Sequence, residues 1–453
     1  MKNWVLCQDW LKKYRIFILI FCIAFLVRVI LFSINFSNTN YDLVGTIHGD
    51  DGYYEISQGL INGHGFTGAV EEPFTPNPLR PPVWPFIIAF IAKIFGSYWP
   101  VLLFEIIIGS FIPVLGMLIA RKIISKRFVW IGTGILLSIE PYGVLLSSIL
   151  YTETMFTFLF LLFFLFTIGY FENKSFRNLV WMSVFLALAT LVKPTVQYIP
   201  IVLALVMFFD ERKEITKKLF GHIALSLGLF CVIIAPWIYR NYIEFGKIGM
   251  SAQPAFNLYV YLAPTVLSID NHTDFGTELG TLLKRDNVNV NDINLSNSDY
   301  YTGKAIEIIK DHKMALMKSV GTTLVTFFTH DGMLTVFQNA GIIIPNNLNS
   351  PALTLLMTDP VRLIKITGSY MSGAGLFILL ARCIWIFITV FFFIGLILYI
   401  KREITGENIM RYAKGNTTKT LRMIVFLAMF LVVYFAFTTS INGLGVNARF
   451  KVP

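Results

Sequence analysis

Long apolar runs, broken at irregular intervals by short polar and basic clusters, occupy most of the chain. The first covers residues 16–36, enough to cross a bilayer core of roughly 30 Å at about 1.5 Å per helical residue. Further runs predict spans at residues 99–120, 128–148, 152–170, 179–191, 194–209, 219–236, 376–400 and 421–439, about nine in all. The stretch 179–209 is read as two short helices broken at Lys193-Pro194, because one continuous helix would place the basic cluster at Arg212 on the outer side. Two patterns are too short to span. Tyr54, Ile56 and Leu60 suit an amphipathic helix ending near Gly63-His64-Gly65, and residues 83–95 suit a second interfacial or re-entrant helix. Residues 237–372 are expected to form a long loop, with an Asn/Asp tract at 286–297 and a helix-like stretch at 300–318.

Composition sharpens the class. Of 453 residues, 55% are hydrophobic and only 14% charged, well outside the range of soluble domains. The expected fold is therefore an all-α polytopic membrane protein. Its organisation is read as a core at 1–236 that includes the first loop, the loop at 237–372, and C-terminal helices at 373–453. A net charge of +10 would suggest nucleic acid if the basic residues shared one soluble face. They sit instead in clusters between apolar runs, where topology explains them.

Lys2, Lys12, Lys13 and Arg15 precede the first span and place the N-terminus in the cytoplasm, and the lack of a small-residue cleavage site points to a retained anchor. Arg121-Lys122 with Lys126-Arg127, Lys174 with Arg177, Arg212-Lys213 with Lys217-Lys218, and the run from Lys401 to Arg422 then mark the other cytoplasmic connections. The loops around Asp50 and at 237–372 fall outside. Cys7 is cytoplasmic and Cys22, Cys231 and Cys383 lie in or beside spans, so no external disulfide is expected. The chain stops at Asn447–Pro453 just after the last span, as though a further segment followed.

Candidate chemistry concentrates in the first loop. Gly49-Asp50-Asp51-Gly52-Tyr53-Tyr54 places two adjacent carboxylates at a membrane boundary, where their repulsion is tolerated if water, a cation or a substrate hydroxyl is present. A plainer reading makes them the cap of the following helix. Against that stand Arg80, Glu153, Lys193 and Arg240, which the same topology brings to the same boundary. Lys193 either snorkels or meets an anion. A lipid phosphate at that depth would suit it together with Arg80 and Arg240, since a guanidinium grips phosphate oxygens in a bidentate fork. Arg28 inside the first span needs a partner, with Glu140, Glu153 or a ligand as choices. His48, His64, His272 and His330 face outward and with Asp50, Asp51 or Glu153 offer donors for a divalent cation, but no tight ligand spacing occurs.

In order along the chain, Arg28, the Asp50-Asp51 pair with Tyr54, Arg80-Pro81-Pro82, Thr152-Glu153, Leu191-Val192-Lys193-Pro194, Pro236-Trp237 with Arg240-Asn241-Tyr242, Ser298-Asp299-Tyr300-Tyr301 leading into Ala305, and Arg449-Phe450-Lys451-Val452-Pro453 resemble features of the GT-C superfamily of polyprenyl-phosphate-sugar-dependent glycosyltransferases. The resemblance is to bacterial family 39 enzymes related to protein O-mannosyltransferases and lipid A aminoarabinose transferases. It implies inverting transfer of a sugar from a polyprenyl phosphate, such as undecaprenyl phosphate, to a glycan, lipid or protein acceptor of the cell envelope on the extracytoplasmic face. On that pattern Asp50 would be the general base and Asp51 would orient the acceptor or hold a cation. Tyr54 would contribute to substrate binding, while Arg80, Lys193 and Arg240 would stabilise the departing phosphate and Glu153 would bind acceptor or metal. In the family the terminal Arg-Phe-x-x-Pro element leads into another membrane helix.

Two other classes fit the same composition. A lipid-linked-sugar transporter would place polar residues near mid-bilayer and often carry inverted repeats, whereas these charges gather at one boundary. A non-catalytic polyprenyl-lipid-binding relative would bind without turnover.

Overall fold

Backbone polar groups inside a bilayer must be satisfied within their own segment, so apolar runs of this length are compelled to be helical. The computed structural model, which describes residues 2–212, 216–342, 360–371, 373–405 and 418–441, is accordingly helical, with no strand among the described residues. In chain order the α-helices are α1 (Lys2–Asn38), α2 (Leu43–Ile47), α3 (Tyr53–Ile61), α4 (Val83–Phe95), α5 (Trp99–Ile123), α6 (Arg127–Ile139), α7 (Pro141–Leu146), α8 (Glu153–Asn173), α9 (Phe176–Val192), α10 (Ile199–Glu211) and α11 (Lys217–Phe245). They continue as α12 (Gln253–Phe256), α13 (Ala263–Asn271), α14 (Phe275–Asp286), α15 (Ser298–Asp311), α16 (Lys313–Thr329), α17 (Met333–Asn339), α18 (Pro360–Ser369), α19 (Ala374–Thr405) and α20 (Thr418–Ile441).

Seven helical stretches among the described residues are long and apolar enough to span a membrane: Tyr14–Asn38, Trp99–Ile123, Glu153–Asn173, Pro194–Glu211, Lys217–Phe245, Ala374–Arg402 and Thr420–Ile441. Each of the nine expected runs has its helix, but α6 and α9 are shorter than a full crossing. The run at 128–148 is not one helix. It breaks at Glu140, because Pro141 cannot donate into the helix above it and the Glu140 carboxylate instead caps α7, accepting from the amides of Tyr142 at 3.2 Å and Gly143 at 2.5 Å. The run at 219–236 is longer than expected, since α11 passes through Pro236 and ends at Phe245, with Gly246 as its left-handed cap. The break at Lys193-Pro194 is present, with Lys193 extended between α9 and a short 3-10 turn. The terminal motif at 449–453 and the basic residues Lys213, Arg411 and Lys414 lie outside the described residues.

The main core is built where α1, α4, α5, α8, α9, α10, α11 and α20 meet, around Phe32, Trp84, Ile106, Phe163, Leu186, Leu203, Phe230 and Leu427. A separate small core, formed by Tyr259, Ala263, Leu282, Ile293, Tyr301 and Ile308, holds α13–α15 together within the long connecting segment. In contrast, the spanning window of α19 has none of its residues buried. The helix meets the rest through Ile378, buried near its N-terminus against Met333, Leu334 and Phe337, through Arg382, paired with Asp331, and through Thr389, which donates to the Phe328 carbonyl at 2.5 Å.

Helix polarity sorts the charged residues to two ends. Lys122 pairs with Glu172 at 2.5 Å and Lys174 with both Asp210 and Glu211, joining the C-termini of α5, α8 and α10. The N-termini of α5, α8 and α10 and the C-termini of α1, α9 and α11 form the other end, which carries α3 and α4.

Candidate active site

The Asp50 loop is held against the segment before α8 by packing that only glycine permits. A Cβ on Gly49 would lie 2.5 Å from Cε1 of Tyr151. The Leu150 amide donates to the Ile47 carbonyl at 2.8 Å, and the Asp50 amide donates to the Tyr151 phenol oxygen at 3.4 Å. Gly52 then takes a left-handed conformation, φ 74°, that turns the chain into α3. The turn separates the two carboxylates. Asp50 is exposed and forms no ion pair among the described residues. Asp51 points inward and accepts from Arg80 Nη2 at 3.1 Å.

Arg80 is positioned by Asn77, whose Oδ1 accepts from the amides of Leu79 and Arg80 at 2.9 Å and 3.0 Å. Its guanidinium lies 5.5 Å above the Tyr53 ring and also donates to Gln253 at 3.3 Å. Residues 77–80 are further clamped by Ala252, whose amide donates to the Pro78 carbonyl at 2.9 Å, and by the Ser251 hydroxyl, which donates to the Leu79 carbonyl at 2.5 Å. Arg240, near the C-terminus of α11, donates from Nη1 to the Asn77 carbonyl at 3.2 Å and to Asn241 Oδ1 at 2.9 Å. Trp237, Phe66 and Phe245 surround it with aromatic faces.

Glu153 is the first residue of α8, where the helix dipole favours a negative charge. It is fully buried and accepts from Lys193 Nζ at 3.2 Å. Lys193 reaches it because the α9 break leaves the residue extended, beside α8; its ammonium also lies 5.7 Å from the Phe156 ring centroid. Lys193 therefore meets an anion inside the protein.

Two tyrosines tie these groups to one place. Burial raises the Tyr53 phenol above its usual value; Arg80 opposes the shift and Glu153 adds to it, with Thr152 and Arg80 as hydrogen-bond neighbours. Burial likewise raises Tyr151, against the pull of the Asp50 amide, and Asp50, Glu153 and Arg80 all lie within its electrostatic reach. The structure thus gathers Asp50, Asp51, Arg80, Glu153 and Lys193, and Arg240 joins through Asn77.

Tyr54 lies in an aromatic cluster with Tyr98 and His48, at 5.0 Å and 5.7 Å, while its neighbour Tyr53 faces Arg80. Tyr53, Tyr151, Asn77 and Gln253 were missed by sequence reasoning; of these only Tyr53 was signalled, by its place in the acidic motif. Arg28 donates to the carbonyl of Ala24 in its own helix at 3.1 Å, and the acidic group in its electrostatic reach is Glu140. His48 pairs with Glu55 at 2.6 Å, His64 stacks on Phe74, His272 ends α13, and His330 accepts from the Gly332 amide. Among the described residues no three His, Cys, Asp or Glu side chains converge as a metal-binding set. Dispersed in this way, these donors do not fit a divalent-ion centre.

The arrangement presents an exposed carboxylate beside two cations, a guanidinium that carries five N–H groups and an ammonium that carries three. It can accept a proton from a hydroxyl and hold an anion nearby. Residues 79–239 match the family model described as dolichyl-phosphate-mannose-protein mannosyltransferase, a GT-C family domain. The matched stretch contains Arg80, Glu153 and Lys193; Asp50 and Asp51 precede it and Arg240 follows it directly. No curated protein matches the chain.

Proposed function

We propose that this chain, whose residues 79–239 match a GT-C family domain, is a membrane glycosyltransferase that moves a sugar from a polyprenyl-phosphate carrier to a cell-envelope acceptor on the extracytoplasmic face, with inversion. The observation that carries this reading is the gathering of Asp50, Arg80 and Glu153 around Tyr151. Asp50 takes the proton of the acceptor hydroxyl as its oxygen attacks the anomeric carbon. The bond from that carbon to the phosphate oxygen breaks on the opposite face, and the polyprenyl phosphate leaves with the electron pair. Positioned base catalysis of this kind contributes about 10²–10⁴-fold.

Arg80, Lys193 and Arg240 stabilise the departing phosphate, whose charge grows in the transition state. Asp51 and Glu153 hold the first two cations in place until the donor arrives. The orientation is supported by charge: Arg121, Lys122, Lys126, Arg127, Lys174, Arg177, Lys217 and Lys218 all fall at the end remote from Asp50, which the positive-inside rule assigns to the cytoplasm. The described part of the long connection after α11, residues 246–342, then lies toward the outer face.

The test uses the full chain in nanodiscs with radiolabelled polyprenyl-phosphate sugars and a cell-envelope extract. Asp50→Asn is expected to lower transfer by about 10²–10⁴-fold at unchanged folded yield. Movement of the lipid-linked sugar across a bilayer without consumption, undisturbed by Asp50→Asn, would instead establish a transporter.

A further inference from the structure

Below the ion pairs, α5 carries a carboxyl group inside the bundle. Glu105 is fully buried, and neither of its oxygens has a hydrogen-bond partner among the described residues. Other buried polar atoms line the same seam. Arg28 of α1 uses Nη1 for Ala24 and leaves Nε unmet, and a Cβ on Gly109, one turn beyond Glu105, would lie 2.9 Å from that Nε. The same Cβ would lie 3.3 Å from Thr154 Cγ2 on α8, and the hydroxyls of Thr154 and Thr157 are buried with no hydrogen-bond partner among the described residues. Glu153 lies within electrostatic reach of Glu105.

Buried polar atoms are almost always bonded to protein or to ordered water. A cavity holds water when it offers two to four polar partners, whereas an apolar one stays dry. An ionised Glu105 would stand in this seam with Glu153 as a second anion. The charged group in its electrostatic reach is Glu153 from α8, already paired with Lys193; Arg28 from α1 lies beside Gly109, one turn away, and has Glu140 in its own reach. An uncompensated buried charge is costly enough that the seam favours the neutral acid, which can donate as well as accept.

We infer that α1, α5 and α8 enclose a buried water site through which a neutral Glu105 hydrogen-bonds to Glu153, making Glu105 a positioning residue for the Glu153–Lys193 pair. The positioning role rests on the function proposed above; the water site and the neutral acid do not. Glu105→Gln preserves shape and the ability to donate and accept, whereas Glu105→Leu removes both polar atoms.

In reconstituted full-length protein at neutral pH, infrared spectroscopy is expected to show a protonated-carboxyl C=O band that Glu105→Gln abolishes. Transfer by Glu105→Gln is expected to stay near wild type. Glu105→Leu is expected to lower kcat by about 10- to 100-fold, the loss that goes with removing a hydrogen bond to a charged group, with KM for the lipid donor little changed. A band unaltered by Glu105→Gln, or equal kcat for the two variants, overturns the assignment. If the wild-type protein transfers no sugar, the proposed function fails by itself, and the infrared comparison still decides the state of Glu105.

Discussion

The two ends of the bundle use the same ion-pair chemistry in different ways. At one end Lys174 is shared by Asp210 and Glu211 and lies against Tyr170 and Phe171, and Lys122 meets Glu172. These contacts join neighbouring helix termini, and every anion in them has a cation. At the other end Arg80 meets Asp51 and Lys193 meets a wholly buried Glu153, while Asp50 stays exposed beside them. The difference teaches that pairing alone does not mark an active site. The end proposed as the active site differs in having Asp50 outside the pairing, with its backbone amide bonded to Tyr151.

The sharpest way to break that comparison is to remove Lys193. Lys193→Met takes the ammonium away from the buried Glu153 carboxylate, and breaking a buried pair in this way costs about 3–5 kcal/mol and is expected to lower the thermal stability of the detergent-solubilised protein along with transfer. Adding Glu153→Gln is expected to restore most of the stability and little of the transfer, because the cation for the phosphate is still missing. Recovery of both would reduce the pair to a structural staple like those at the remote end. Gly49→Ala comes next. Its Cβ must displace Tyr151 or the Asp50 loop, at about 1–3 kcal/mol for overpacking, and transfer should fall as Asp50 moves; wild-type turnover would show that this position is loosely held. The smallest effect is expected for Lys174→Met, about 1 kcal/mol of stability with transfer unchanged. A large loss of transfer there would mean that the two ends are not separable.

Much of this was legible in the sequence, and the misses have physical reasons. The helix at 83–95 and the break at Lys193 were readable because chain length, apolar periodicity and proline act locally. Periodicity also marks α3 through Tyr54, Ile56 and Leu60 but says nothing of Tyr53, since which residues turn inward depends on how the chain enters the helix, and Gly52 turns Tyr53 toward Arg80. The run at 128–148 was read as continuous because hydropathy does not register a side chain that caps its own backbone, as Glu140 does. Asn77 and Gln253 carry no charge and act on partners distant in sequence. Glu105 sits alone in an apolar run, and its neighbours come from two other helices. Such groups become visible only after the helices pack.

Arg80 divides its guanidinium between Asp51 and Gln253, and Gln253 in turn donates to Asn257 at 2.7 Å, where a π-helical turn begins. The neutral contact, at 3.3 Å, is the weaker of the two. A phosphate competing for that fork would take Gln253's share before Asp51's, while the bonds from Ala252 and Ser251 to Pro78 and Leu79 keep the segment seated. The fork can thus change partners without the loop beneath it coming loose.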